Sequence, residues 1–208
     1  MSRIIDISPP ISARLAVWPG DVGYERTVNL AIDRGSNIDL SSIRTTVHLG
    51  AHADAPSHYL AGGQGIAERP LERYYGDCQV IEVRIPRGER IRPQHLGGPL
   101  LAPRVLFRTG SYPDPTDFTT DFNSLSPELI EQIAAQGGVL VGIDTPSIDP
   151  FSSEELESHQ AVARYDLAVL EGLVLGAVPP GCYTLLALPL KLEGADASPV
   201  RAALIAGD

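Results

Sequence analysis

Short runs of apolar and β-branched residues alternate with turn-forming segments along most of the chain, a pattern typical of short strands. Proline or glycine closes several of the runs, as Pro9-Pro10 does for the first. The compact run VLFRT at 105–109 is typical of a buried strand. The predicted strands are residues 4–8, 24–32, 39–49, 80–85, 105–109, 139–143, 183–188 and 202–206.

Two segments have helical character. Ser126 can cap a helix that begins at Pro127, and the glycines at 137–138 are typical of its end. A second helix is predicted at 153–162, with acidic residues at its start. Because strands outnumber helices and the two are mixed in order, the pattern predicts an α/β fold with a substantial sheet.

Composition indicates one globular domain. The chain has 208 residues, of which 43% are hydrophobic and 20% charged, so we expect a strand-rich single domain over 1–208. Acidic residues outnumber basic ones by 26 to 16, giving a net charge of −10. This charge disfavours binding to nucleic acid and to anionic membranes. No apolar run reaches the roughly 18–20 residues that a membrane span needs.

Cysteine usage and the first residues indicate a reducing compartment. Cys78 and Cys182 lie far apart and lack the spacing of a metal or redox motif, so we interpret them as two buried thiols. The opening MSRIIDISPPIS lacks the successive regions of a signal peptide. We therefore expect a cytoplasmic protein.

The segment HLGAHADAPSH at 48–58 concentrates the candidate chemistry, because it holds three of the five histidines of the chain. Its candidate ligands are His48, His52, Asp54 and His58. All have even numbers, so their side chains share a face where the chain is extended. Gly50 disfavours a helix, and Pro56 favours extended geometry before it. We place the segment at the end of a strand that continues as a loop through Pro56.

Imidazole and carboxylate groups at this density indicate a divalent metal site. They are ligands of Zn²⁺, and of Mn²⁺ or Fe²⁺ as the share of oxygen rises. A carboxylate can also bridge two metals. The alternative is a set of solvated histidines near a turn. The cluster alone does not decide between a structural and a catalytic metal.

Three residues elsewhere are ambiguous. His159 lies in the second predicted helix, and Glu171 lies between apolar neighbours in LAVLEGLVLG, where an exposed helix or turn position would account for it. Trp18, the only tryptophan, lies in WPGD, which predicts a turn. It is either a core or turn aromatic or a group that stacks on a ligand.

Several segments resemble the cyclase-like metal-dependent hydrolase family. HLGAHADAPSHY resembles its HxGxHxDAPxH signature, and DISPPIS, VWPGD, DTPSIDP and ALPLKLEGADASPVRAAL resemble its other segments in order. The resemblance covers nearly the whole chain, and the chain looks most like the members that hydrolyse N-formyl-L-kynurenine. Many members carry Asn after the glutamate, where this chain has Gly172. That departure puts a contact beside the ligand in doubt.

The resemblance implies two zinc ions, with Mn²⁺ as an alternative, in a swivelling β/β/α domain that forms a homodimer. The implied metal ligands are His48, His52, Asp54, His159 and Glu171, with Asp54 shared by both ions. His58 would then be free for acid–base chemistry, and Trp18 would line the substrate pocket.

The implied activity is hydrolysis of N-formyl-L-kynurenine to L-kynurenine and formate, with His58 passing a proton to the leaving nitrogen. Two alternatives stay open. One is a related hydrolase that opens a cyclic amide such as isatin. The other is a non-catalytic protein that binds metal for stability. The net charge of −10 disfavours a nucleic-acid-binding metalloprotein.

Overall fold

A computed structural model of the protein describes residues 3–207, which contain thirteen strands and three α-helices. The strands are β1 (Arg3–Asp6), β2 (Glu25–Leu30), β3 (Leu40–Arg44), β4 (His52–Asp54), β5 (Tyr75–Glu82), β6 (Arg90–Ile91), β7 (Arg104–Arg108), β8 (Ser124–Leu125), β9 (Leu140–Ile143), β10 (Ala168–Glu171), β11 (Gly181–Leu186), β12 (Ala197–Pro199) and β13 (Ala203–Ala206). The helices are α1 (Pro56–Tyr59), α2 (Pro127–Ala135) and α3 (Glu157–Tyr165). Short 3-10 helices lie at Ile32–Arg34, Ile66–Glu68, Leu71–Arg73 and Pro93–Leu96.

Nine of the strands form one sheet in the order β1-β13-β11-β5-β7-β9-β10-β4-β12. Neighbours among β5, β7, β9 and β10 run parallel, and the pairs towards both edges are antiparallel. β4 lies between β10 and β12, with Ala53 opposite both Leu170 and Ser198. The result is the mixed, strand-rich α/β domain that the sequence predicts.

Alternate residues of the central strands face two different cores. Val105 and Phe107 of β7 pack with Ile133 of α2 on the face that the helices cover. Leu106 points to the other face, where it joins a cluster that includes Ala53 of β4 and Leu204 of β13. Since strands near both ends of the sheet contribute to this second cluster, the sheet curls around it.

Strands β2 and β3 form a separate two-stranded sheet. Every residue of the two strands is exposed, including apolar side chains such as Ile43, which is 63% exposed. The predicted strands at 24–32 and 39–49 are therefore present, but the second ends at Arg44. Neither contributes to the core.

Helix α3 begins four residues later than the predicted 153. The Ser153 hydroxyl accepts a hydrogen bond from the N–H of Leu156, and Leu156 has a left-handed φ of 49°. The acidic segment before Glu157 is therefore a turn. Helix α2 begins as predicted, because the Ser126 hydroxyl accepts a hydrogen bond from the N–H of Leu129.

The burial of the two cysteines and the character of the helices are relevant to the predicted cytoplasmic location. Cys78 is buried, and burial raises the pKa of its thiol to about 12. Cys182 is exposed, so the expectation of two buried thiols is wrong for that residue. Between residues 3 and 207 no helix has the length and apolar character to cross a membrane. A cytoplasmic location stays a prediction.

Candidate metal centre

Strand β4 carries the middle of the histidine-rich segment. His52 and Asp54 are two residues apart in this strand, so their side chains leave the same face. In the pairing of β4 with β10, Glu171 lies opposite His52. All three residues are buried, with exposed fractions of 4, 1 and 3% in chain order. The exposed position considered for Glu171 is therefore wrong.

The two oxygens of Asp54 face different imidazoles. Oδ1 lies 3.0 Å from Nδ1 of His48 and 3.4 Å from Nε2 of His52. Oδ2 lies 3.4 Å from Nε2 of His159, which is buried on α3. The carboxylate of Glu171 spans both groups, since its oxygens lie 3.4 Å from Nε2 of His52 and 3.4 Å from Nε2 of His159. The structure thus brings all five sequence-predicted ligand candidates together.

The donor atoms converge in the way that ligands of a cation do. Oδ1 of Asp54 is buried and has no hydrogen-bond partner within residues 3–207, although imidazole nitrogens lie close to it. Leaving a carboxylate oxygen buried and uncompensated is costly, and a divalent cation would satisfy it. Two sets of donor atoms, each lying within 4.8 Å of one another, share Asp54. They are His48, Asp54 and His58, and His52, Asp54 and Glu171. Imidazole with carboxylate fits Zn²⁺ or a similar ion.

Opposite charges in the cluster stabilise one another. Burial opposes the charged form of His48, but Asp54 and Asp196 outweigh it and raise the pKa of His48 to about 9. Burial also opposes ionisation of Asp54, yet the adjacent imidazoles of His159, His48 and His52 hold its pKa well below the usual range. The carboxylates therefore remain negative, which favours a cation beside them.

His58 lies at the edge of this cluster, on a helix. Pro56 occupies the first turn of α1, where proline is tolerated, so the predicted loop through Pro56 is wrong. The side chain of His58 is 34% exposed, and its ring centre lies 4.2 Å from that of His48. Oδ2 of Asp196 lies 3.3 Å from Nδ1 of His58 and 2.9 Å from Nε2 of His48.

Three residues that support the imidazoles are not among those predicted from the sequence. Oδ2 of Asp149 lies 2.9 Å from Nδ1 of His159, and the carbonyl oxygen of Gly50 lies 2.8 Å from Nδ1 of His52. Asp196 is the third. All three lie in segments that carry the family resemblance, which is the only signal that could have found them.

Gly172 lies directly against the carbonyl of Gly50. Its φ is 64°, and a Cβ at this position would lie 2.1 Å from the oxygen of Gly50. The chain therefore requires glycine where many family members carry asparagine. In this chain the residue after Glu171 therefore makes a close contact with the backbone of Gly50 and offers no side chain beside the Glu171 carboxylate.

A cavity of about 630 Å³ adjoins the cluster. Its polar lining includes His48, His52, His58, His159 and Glu171. Aromatic rings also line it, namely those of Trp18, Tyr112, Phe118 and Phe151. The cavity thus combines ionisable groups with an aromatic wall.

Trp18 belongs to this wall. The N–H of Asp21 donates to the carbonyl of Trp18, and Gly20 has a φ of 94°, so WPGD forms the predicted turn. The ring of Trp18 lies 5.0 Å from that of Phe151 and 5.5 Å from that of Phe118. With 37% of its surface exposed, Trp18 is a cavity residue and not part of the core.

Sequence comparison relates the chain to a family model and to several kynurenine formamidases. Residues 5–150 match the family model described as "Putative cyclase". The kynurenine formamidases of Bordetella petrii and Bordetella pertussis are 47% and 46% identical to this chain, and each alignment covers 98% of both proteins. The kynurenine formamidase of Polaromonas naphthalenivorans is 44% identical over 97% of this chain and 90% of its own length.

Solved structures share the fold over nearly the full length. A potential metal-dependent hydrolase with cyclase activity has a TM-score of 0.85 at 27% identity, with both chains covered completely. A predicted metal-dependent hydrolase from Bacillus stearothermophilus has a TM-score of 0.82 at 27% identity, covering 99% of this chain and 98% of its own. Isatin hydrolase A from Labrenzia aggregata has a TM-score of 0.82, covering 100% and 94%; at 22% identity, this similarity concerns the fold alone.

Proposed function

The chain belongs to the cyclase family of metal-dependent hydrolases, and we propose that it is an arylformamidase that hydrolyses N-formyl-L-kynurenine to L-kynurenine and formate. One observation carries the proposal: a His/carboxylate cluster beside an aromatic-walled cavity, in a chain 47% identical to a kynurenine formamidase over 98% of both lengths. The wall suits the aryl ring of this substrate, and the cluster suits a hydrolytic metal.

We propose two zinc ions per chain, with Mn²⁺ as the alternative metal. His48, His52 and Asp54 are assigned to one ion, since Oδ1 of Asp54 faces both imidazoles. Asp54, His159 and Glu171 are assigned to the other, since Oδ2 of Asp54 and one oxygen of Glu171 both face His159. Such ions, when bound, lower the pKa of water towards about 7 and stabilise negative charge on a carbonyl oxygen.

His58 is assigned the proton transfers. It lines the cavity, and its half-exposed ring lies beside a proposed ligand, His48. The leaving group is an aryl amine, which departs poorly as an anion and therefore needs a proton on its nitrogen. An imidazole can accept a proton from water and pass it to that nitrogen. Trp18 is assigned to binding the aryl ring by stacking.

The test combines elemental analysis with an assay of formate release. We expect two zinc ions per purified chain, loss of activity on chelation and recovery when zinc is restored. His58→Ala should keep both ions and lose about 10²–10⁴-fold in kcat, the range typical of a general acid–base group. His95→Ala is the control, because the Nδ1 atom of His95 accepts a hydrogen bond from the N–H of Arg92, on a 3-10 helix that does not line the cavity.

Each outcome has a distinct meaning. A fully loaded His58→Ala variant with normal turnover would remove His58 from the mechanism. If the loaded wild-type protein preferred isatin in a parallel assay, the cyclic-amide alternative would replace the formamidase. If it bound metal and hydrolysed neither compound, a non-catalytic metal-binding protein would be the better description.

We also propose that the protein is a homodimer and that the β2–β3 sheet contributes to the contact. This sheet exposes apolar side chains such as Ile43, and a two-stranded sheet is marginally stable when nothing packs against it. Light scattering should give twice the chain mass, and Ile43→Glu should shift it towards the monomer. The control is Leu101→Glu, which places the same charge at a leucine that is 71% exposed outside this sheet. A wild-type monomer would contradict the proposal.

A further inference from the structure

Asp196 lies where two strands and a helix meet. It directly precedes β12, whose first residue, Ala197, is opposite Asp54 of β4. The carbonyl of Asp196 accepts a hydrogen bond of 2.8 Å from the N–H of Ala55, the residue before α1. Its backbone is therefore held on both sides, and the carboxylate projects between the irregular segment before β4 and the helix after it.

One oxygen of this carboxylate contacts two imidazoles. Oδ2 of Asp196 lies 2.9 Å from Nε2 of His48 and 3.3 Å from Nδ1 of His58. An ionised carboxylate can only accept hydrogen bonds, so each of these nitrogens must carry the proton. The protonated nitrogen of each ring is thereby determined.

We propose that Asp196 is a positioning residue that orients His48 and His58 together, an inference that rests on the function proposed above. With its proton on Nε2, neutral His48 presents its lone pair from Nδ1, which faces Oδ1 of Asp54 at 3.0 Å. With its proton on Nδ1, His58 keeps Nε2 free to exchange a proton with the substrate. One side chain thus sets the tautomer of a metal ligand and of the acid–base group.

Asp196 acts through these two rings because it is not among the residues that line the cavity. Its removal should therefore lower metal affinity and kcat and leave KM nearly unchanged, which separates positioning from substrate binding. Carboxylates that hold ligating histidines are typically worth about 10–100-fold in metal affinity or activity. We expect a loss in that range.

The experiment compares Asp196→Ala with Asp196→Asn. Zinc affinity is measured by competition with a chelator, kcat and KM by formate release, and the ring N–H proton of His48 by NMR of the zinc-loaded protein. Asp196→Ala should lose 10–100-fold in affinity and in kcat, and the downfield ring N–H resonance should disappear. Asp196→Asn should recover part of each loss, because its amide oxygen still accepts a hydrogen bond.

Glu193→Ala is the matched control, since Glu193 is an exposed acidic residue on the same loop. It should behave as the wild type in all three measurements. Unchanged zinc affinity, kcat and ring N–H resonance in Asp196→Ala would overturn the inference while the formamidase activity stands. If the wild type released no formate, the proposed function would fail, and the zinc and NMR measurements would still decide whether Asp196 orients the rings.

Discussion

At the scale of single residues, Asp149 has two structural tasks. Its carboxylate accepts hydrogen bonds from the backbone N–H groups of Ser158 and His159 at the start of α3, and it also contacts Nδ1 of His159. Arg90 lies 3.0 Å from its other oxygen. Burial opposes its ionisation, yet the hydrogen bonds from His159 and Ser158 lower the pKa of Asp149 to about 2. The helix and the ring of a proposed ligand thus depend on one charged side chain.

Asp149→Ala should therefore lower both stability and metal affinity. Removing the buried carboxylate leaves the first N–H groups of α3 without their acceptor, at a cost of about 1–3 kcal/mol in the free energy of unfolding. Arg90 keeps its contact with Glu157 at 2.7 Å. Without the Asp149 carboxylate to orient the His159 ring, zinc should bind about 10–100-fold more weakly. Urea unfolding and chelator competition measure the two effects.

Ser126→Ala is the control for Asp149→Ala, because it removes only the cap of α2. It should cost about 1 kcal/mol and leave zinc affinity unchanged. If Asp149→Ala lost stability and bound zinc as tightly as the wild type, the role of Asp149 would be limited to the start of the helix.

Residue type and spacing reveal only one half of the candidate centre. His48, His52 and Asp54 fall within one short segment and alternate in a way that predicts a shared face. His159 and Glu171 have no such local signal, because each contacts a residue more than a hundred positions away. Without the family resemblance they would have stayed ambiguous. Asp196 and Asp149 were missed because a carboxylate that supports a histidine looks like any loop acid in the sequence.

At the scale of elements, the approach of β10 to the segment before β4 depends on two glycines. Gly172 follows β10 with a φ of 64°, and the carbonyl of Gly50 occupies the space that a Cβ would need. That same carbonyl accepts the hydrogen bond from Nδ1 of His52 and leaves Nε2 facing the cluster. A side chain at 172 would therefore disturb a proposed ligand that it never touches.

Gly172→Ala should destabilise the protein and weaken its metal binding. A non-glycine residue in the left-handed region costs about 1–2 kcal/mol, and displacement of the Gly50 carbonyl adds to that cost. Gly137→Ala is the matched control, because Gly137 has a φ of 84° and open space around its Cβ position. It should show the backbone cost alone. Equal zinc affinities of the two variants would contradict this account of His52.

The elements themselves differ in how well local signals predict them. Helix α2 is recognised because its cap, Ser126, lies next to its first turn. Helix α3 begins at Glu157 because Asp149, eight residues earlier, accepts its first N–H groups, whereas the local acidic run suggests 153. The segments 24–32 and 39–49 have the alternating pattern of strands, and β2 and β3 form there, but these two strands pair only with each other. A local pattern predicts a strand and does not identify its partner.

At the scale of the whole molecule, sheet order assembles the centre. β4 is fourth along the chain, yet it lies between β10 and β12, so ligands near 50, 160 and 170 meet at one end of the curled sheet. Strand order is a long-range property that hydrophobic periodicity does not contain. The fold class was predictable from the pattern, whereas this arrangement followed only from the family resemblance.

Metal bound at this position would connect segments more than a hundred residues apart, so its removal should affect the stability of the whole fold. A ligand that binds only the folded state at 100 times its dissociation constant adds about 2.7 kcal/mol. For a chain of this size, that corresponds to roughly 5–11 °C in Tm, at 2–4 °C per kcal/mol. Calorimetry of zinc-loaded and chelated protein, with zinc content verified, should show this decrease in Tm on chelation and its reversal when zinc is restored.

The Asp54→Asn variant should melt near the Tm of the chelated protein and respond little to zinc, because both proposed ions share that carboxylate. An unchanged Tm after verified removal of zinc would mean that the five ligands are held together by the protein alone.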